Sequence, residues 1–66
     1  MLTRVKVPKG STLAVLHTKV ASAKFVQLLR SGRVPGCPPN EKIPLRADCT
    51  EVEVWCEGPC ELEWFP

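Results

Sequence analysis

The chain has 66 residues, of which 44% are hydrophobic, and it contains seven prolines, four glycines and four cysteines. A chain this short has no room for a second domain or a large enzyme pocket, and its apolar core barely offsets the entropy of folding. Abundant turn-forming residues beside ample hydrophobic ones indicate many short elements and argue against long helices and disorder. We therefore predict one small domain over residues 1–66 that gains stability from a disulfide, a metal or a partner.

The charges are unevenly distributed along the chain, although the formal net charge is only +2. Residues 1–46 contain all nine basic residues and one acidic residue, whereas residues 47–66 contain only acidic ones. This segregation predicts pairing of the two parts, either between strands of one molecule or between faces of two molecules. The alternative is a solvated charged surface without a partner.

The N-terminal residues alternate between basic and apolar side chains, which predicts a strand with Arg4 and Lys6 outward and its valines inward. A turn at Pro8-Lys9-Gly10 and a second strand at 11–16 follow, so we expect an N-terminal hairpin. The charges exclude an apolar run of the signal-peptide type, and no stretch approaches a membrane span. We therefore expect synthesis in the cytoplasm and no contact with a membrane.

The middle of the chain is ambiguous between helix and strand. Residues 25–29 are almost continuously apolar, a pattern that both structures allow. Because the flanking regions indicate strands, we favour a strand over 24–30, with an α+β fold containing one helix near 19–31 as the alternative. Three prolines within 34–40 predict a loop, and residues 43–46 predict a short edge strand or a crossing segment.

The C-terminal residues 50–65 alternate strictly between polar and apolar on both sides of Glu57-Gly58-Pro59. This pattern predicts a β-hairpin in which Glu53 lies opposite Glu63, an unfavourable pair unless a basic strand lies beside them. The N-terminal strand would supply those bases. The face that must be buried consists of Val52, Val54, Cys56, Cys60, Leu62 and Trp64. Together these elements predict an all-β fold, a small sandwich or partly open barrel of five to six short strands with N- and C-terminal hairpins.

The four cysteines leave three interpretations open. Cys56 and Cys60 form one close pair, but Cys37 and Cys49 do not form the second pair that structural zinc sites normally need, so we expect no metal. Disulfides between Cys56 and Cys60, or between Cys37 and Cys49, are the second interpretation, although cytosolic thiols are kept reduced. We favour the third, in which reduced cysteines act as small buried hydrophobic residues.

The sequence offers no constellation for catalysis, so we expect neither an enzyme nor a cofactor. His17 is the only histidine, and a general base needs a nucleophile and an orienting group that no motif supplies. The basic residues could contact phosphates, but binding of single strands requires aromatics among them, and Phe25 is expected in the core. The acidic C-terminal part would also repel nucleic acid.

Trp55 is the clearest sign of an interaction surface. In the predicted hairpin it lies on the glutamate face with Phe65, away from the core. An exposed tryptophan among charges is typical of a protein interface, and packing beneath another strand is the alternative. The candidate partner-binding residues are Trp55, Phe65, Arg4, Lys6, Glu53 and Glu63.

The strand, Pro-x-Gly turn and strand over residues 5–15, with the closing acidic segment 51–64, resemble small accessory proteins of tailed-phage virions. That family comprises capsid decoration and head–tail proteins. The resemblance implies a β-sandwich or barrel that sits on a ring or lattice of larger structural subunits, as a homo-oligomer or lattice component of the virion. The four cysteines and the proline-rich loop depart from this pattern, and no functional residue carries over.

Three functions therefore follow from the sequence. The first is a non-enzymatic structural protein of a virus particle that acts through protein–protein contacts, since a marginal core is stabilised by burial against a partner. The second is a small phage or bacterial regulator that binds a host protein or nucleic acid in the cytoplasm. The third is a zinc-dependent mini-domain.

Overall fold

The computed structural model describes residues 2–66 as seven strands in two antiparallel sheets, without a helix. The four-stranded sheet has the order β1-β6-β3-β4, and the three-stranded sheet has the order β5-β2-β7. The predicted all-β class is confirmed, with the sheets separate and not closed into a barrel. The strands are β1 (Leu2–Lys6), β2 (Leu13–Thr18), β3 (Lys24–Leu29), β4 (Gly32–Arg33), β5 (Ile43–Pro44), β6 (Cys49–Trp55) and β7 (Cys60–Phe65).

The ambiguous middle segment forms β3, so the alternative of a helix near 19–31 is wrong. Phe25 and Gln27 point to the core and are buried, and Val26 on the opposite face is buried as well. A strand that is covered on both faces reads as a nearly continuous apolar run, which explains why alternation is lost here.

The predicted N- and C-terminal hairpins are wrong, because β1 and β2 lie in different sheets, as do β6 and β7. β1 pairs with β6, with Leu2 opposite Trp55, and β7 pairs with β2, with Leu13 opposite Phe65. Residues 7–12 and 56–59 therefore cross from one sheet to the other. Alternation identifies a strand and its buried face, but it does not identify the hydrogen-bonded partner.

The core lies between the sheets and contains the apolar face predicted for the C-terminal strands. Phe25, Leu16 and Val52 are its largest fully enclosed side chains. Gln27 also enters it, and its amide donates to the Pro44 carbonyl at 3.1 Å and accepts from the Arg46 N–H at 2.8 Å. This buried amide is satisfied and links the four-stranded sheet to the segment that follows β5.

Asn40, three residues before β5 begins, takes the place of a strand neighbour of β2. Its N–H donates to the Leu16 carbonyl at 2.8 Å. Its side chain accepts from the Thr18 N–H at 3.1 Å and donates to the Thr18 carbonyl at 2.8 Å. The φ of Asn40 is 63°, in the left-handed region that asparagine tolerates. One amide side chain thus occupies backbone groups of β2 that a longer β5 would bind.

Candidate interaction surface

The outer face of the four-stranded sheet gathers most of the predicted partner-binding residues. The register of β1, β6 and β3 arranges its side chains in three rows. The rows are Leu2, Trp55 and Lys24, then Arg4, Glu53 and Val26, then Lys6, Glu51 and Leu28. Basic side chains lie on the flanking strands and acidic ones on the central strand, so part of the charge segregation is resolved within one molecule.

The first row forms a group that we call the Trp55 corner, consisting of Leu2, Trp55 and Lys24. Leu2 is 52% exposed and Trp55 41%, and they are the exposed large hydrophobic side chains within residues 2–66. The Lys24 ammonium lies 5.4 Å from the Trp55 ring centroid. A depression of about 420 Å³ adjoins the corner and is also lined by Ser22 and Glu57. Trp55 is thus exposed beside the glutamates, as the sequence predicts.

Glu53 has the basic neighbours that the sequence analysis required. Its side chain is 3% exposed, and Oε2 accepts from Arg4 Nε at 3.2 Å and from Arg33 Nη2 at 2.9 Å. The two arginines are themselves more than half exposed. Oε1 has no hydrogen-bond partner among the described residues. Glu53 therefore fixes the two arginines and is too buried to contact a partner itself, whereas Arg4 and Lys6 remain exposed.

Phe65 and Glu63 do not share a face with Trp55, so the prediction of one common surface is wrong for them. Both lie on the outer face of the three-stranded sheet because β7 pairs with β2. The Lys42 ammonium lies 4.9 Å from the Phe65 ring centroid. Glu63 Oε1 lies 2.7 Å from His17 Nε2, and both side chains are about half exposed.

His17 borders a depression of about 650 Å³ that is also lined by Thr18 and Asn40. His17 and Thr18 at this depression make structural contacts. His17 contacts Glu63, and the Thr18 hydroxyl donates to the Pro59 carbonyl at 2.9 Å. The Thr18 contact holds the loop before β7 in place.

The structure divides the four cysteines. Cys56 and Cys60 form a disulfide that joins β6 to β7 across the two sheets, with a Cα–Cα distance of 6.5 Å. Cys37 and Cys49 are free thiols, and burial raises the pKa of both. The preference for four reduced cysteines is therefore wrong for Cys56 and Cys60, because the crossing at 56–59 brings them together. Within residues 2–66, no three or more metal-binding side chains are grouped around a common point.

The sequence did not predict several of the observed contacts. Arg33 and Lys42 gave no local signal, because their contacts depend on sheet pairing. Gln27 did give one, since an amide within an apolar strand needs buried hydrogen-bond partners.

Comparisons with known proteins find no match, so a function for this chain has to be inferred from its geometry. No protein-family model matches the chain, and neither a curated protein nor a solved structure is significantly similar to it. In the part of the chain that the structure describes, no helix has the length and hydropathy needed to cross a membrane.

Proposed function

We propose that the protein is a non-enzymatic interaction protein that docks on a larger structural protein through the Trp55 corner. The observation that carries the proposal is the adjacency of Leu2 and Trp55, which are exposed side by side on one sheet face. A small domain normally covers its large apolar side chains, and an uncovered tryptophan is typical of an interface centre.

The charges around the corner indicate the chemistry of its partner. Lys24 lies over the Trp55 ring, and Arg4 and Lys6 follow Leu2 along the outward side of β1. An apolar centre with cations along β1 and β3, and with Glu57 in the adjoining depression, fits a pocket of apolar side chains whose rim is mainly acidic. A subunit with such a pocket would cover the corner and stabilise the folded chain.

Within this class, we infer an accessory role on a virus particle, as a capsid decoration or head–tail protein. The inference rests on the resemblance of the sequence to such modules, and the β-sandwich architecture agrees with it. In that role the chain is made in the host cytoplasm and ends in the virion.

Particle composition tests this proposal. Particles from cells that produce them together with the chain are separated on a density gradient, and the chain is quantified by mass spectrometry in each fraction. We expect wild type in the particle fraction, and at least about tenfold less of Trp55→Ser and Leu2→Ser. Lys9→Ser, an exposed residue away from the corner, is the matched control, and circular dichroism verifies the fold of each variant. Wild-type chain outside the particle fraction, or variants that stay bound, would contradict the proposal.

A second candidate, a regulator that binds nucleic acid, is favoured by the cations that share the outer face with Trp55. Titration of the chain into a dye-labelled single-stranded oligonucleotide, followed by fluorescence anisotropy, separates the two candidates. A phosphate-driven complex weakens steeply with added salt. Such binding, lost in Trp55→Ser, would replace the protein partner with nucleic acid.

A further inference from the structure

The two long sheet edges of the molecule each have one hydrogen-bonded neighbour only. β1 pairs with β6 at the edge of the four-stranded sheet, and β7 pairs with β2 at the edge of the three-stranded sheet. The opposite edges are the two-residue strands β4 and β5. Within Leu2–Lys6 and Cys60–Phe65 there is no proline, and no charged side chain points to the core. Both edges therefore lack the usual protection against pairing with another strand, apart from their outward charges.

These two edges lie on the same side of the sandwich and flank a groove. Its walls are Thr3 and Val5 of β1 and Leu62 of β7, and its floor includes Leu16 and Val54. The groove has a volume of about 380 Å³. We call it the edge groove.

The outward side chains of the two edges carry opposite charges. Arg4 and Lys6 project from β1, whereas Glu61 and Glu63 project from β7. Lys6 and Glu61 form no ion pair within the described residues. One molecule thus presents a basic edge and an acidic edge beside each other.

We propose that two copies of this chain form a symmetric dimer in which β1 of each copy pairs with β7 of the other. When two edge grooves face each other around a two-fold axis, both pairings form at once and the assembly is closed. The four-stranded sheet of one copy then continues into the three-stranded sheet of its partner. Each edge groove is covered, and the cations of β1 meet the carboxylates of β7 along both seams.

Charge decides between this dimer and the other two-fold arrangement of the same groove. That arrangement pairs β1 with β1 and β7 with β7. It sets Arg4 and Lys6 against their own copies, and Glu61 and Glu63 against theirs. Like charges on adjacent strands are destabilising, so the unlike pairing is favoured.

The mass in solution is the first test. We expect native mass spectrometry and light scattering to give twice the chain mass of 7.3 kDa. The dimer should weaken as salt screens the seams. A monomer at all concentrations up to about 1 mM would overturn the proposal.

Charge reversal identifies the seams. We expect Lys6→Glu or Glu63→Lys to raise the dimer dissociation constant about tenfold, because the two side chains lie at the same end of the two edges and each change occurs twice in a symmetric dimer. The double variant Lys6→Glu/Glu63→Lys should restore it. Lys9→Glu and Glu41→Lys make the same charge changes at exposed turns and should leave it unchanged. A dimer insensitive to both single reversals, or a double variant that stays dissociated, would overturn the β1–β7 pairing.

This inference goes beyond the docking proposal and does not depend on it. The dimer seams do not include the Trp55 ring, so Trp55→Ser should keep the dimer while losing the particle. Loss of the dimer in Trp55→Ser would overturn the assignment of the seams, and its retention supports it.

Discussion

The outer faces of the two sheets are covered by the same kinds of contact, but their aromatic rings differ in exposure. Each buries one valine that is not part of the core, Val26 on the four-stranded sheet and Val15 on the three-stranded sheet. Each also has a lysine ammonium over an aromatic ring. Phe65 is half-buried beneath its lysine, whereas Trp55 stays 41% exposed beside an exposed leucine. The four-stranded face is thus incompletely covered.

The carboxylates of the two faces also differ in burial, but here the four-stranded face has the more buried group. Glu53 is almost fully buried between two arginines, while Glu63 meets His17 in solvent. The four-stranded face therefore combines a rigid ionic centre with an uncovered apolar corner. A partner that docks there would meet fixed arginines and an exposed tryptophan, which requires little ordering on binding.

Glu53→Ala tests the ionic centre, and Glu63→Ala is its counterpart on the other face. We expect Glu53→Ala to lower the free energy of unfolding by about 2 kcal/mol, because it removes two charge-assisted hydrogen bonds and leaves a void. Glu63→Ala should cost less than about 0.5 kcal/mol, since its ion pair is exposed. Urea unfolding measures both. Equal losses would show that the two faces do not differ in this respect.

The disulfide between Cys56 and Cys60 joins the two sheets, and its contribution to the free energy of unfolding can be measured by reduction. Reduction should lower the free energy of unfolding by about 2 kcal/mol, since the bond closes a short loop in the unfolded chain. Urea unfolding with and without a reductant gives the difference. The double variant Cys56→Ser/Cys60→Ser should resemble the reduced chain and should not respond to the reductant.

Removing the lysine that lies over each aromatic ring compares the two sites directly. Lys24→Ala and Lys42→Ala should each lower the free energy of unfolding by about 0.5 kcal/mol. Only Lys24→Ala should increase quenching of tryptophan fluorescence by acrylamide, because Lys42 covers a phenylalanine. If quenching rises in Lys42→Ala instead, the assignment of lysines to rings is wrong.

The free thiols give the smallest expected effect, and both belong to the four-stranded sheet, with Cys49 in β6 and Cys37 bridged to Phe25 of β3. Burial raises the pKa of Cys37 and Cys49 above their ordinary value of 9.0 in the folded chain. The unfolded chain therefore releases these protons first, so stability is complete below that value and falls as the pH rises through it. Urea unfolding at neutral and alkaline pH measures the loss. The variant Cys37→Ala/Cys49→Ala should lose less stability over that interval.

The strands were predictable from the sequence, but their partners were not. A period of two located β1, β6 and β7 and their buried faces, the turn at Pro8-Lys9-Gly10 indicated β2 without a buried face, and the apolar run located β3. Pairing is a long-range property, and nothing local shows that β6 lies between β1 and β3. The short connection at 56–59 favoured a hairpin, although in the sandwich it crosses between sheets.

The candidate site was predictable to the same degree. The outward position of Trp55 and a basic neighbour for Glu53 followed from alternation and charge. Arg33 could not be assigned, because its contact with Glu53 depends on the pairing of β4 with β3 and of β3 with β6. The separation of Phe65 from Trp55 also required the sheet order, since both residues point outward in either arrangement.

The amide of Asn40 has a consequence for how far this protein can assemble. Fibrils and other β-aggregates grow by the addition of strands to exposed sheet edges. Asn40 already occupies the Thr18 backbone groups on one side of the three-stranded sheet, and Pro44 in β5 has no N–H to offer a newcomer. A further strand can therefore pair with this edge only incompletely, which hinders edge-to-edge aggregation on that side of the three-stranded sheet.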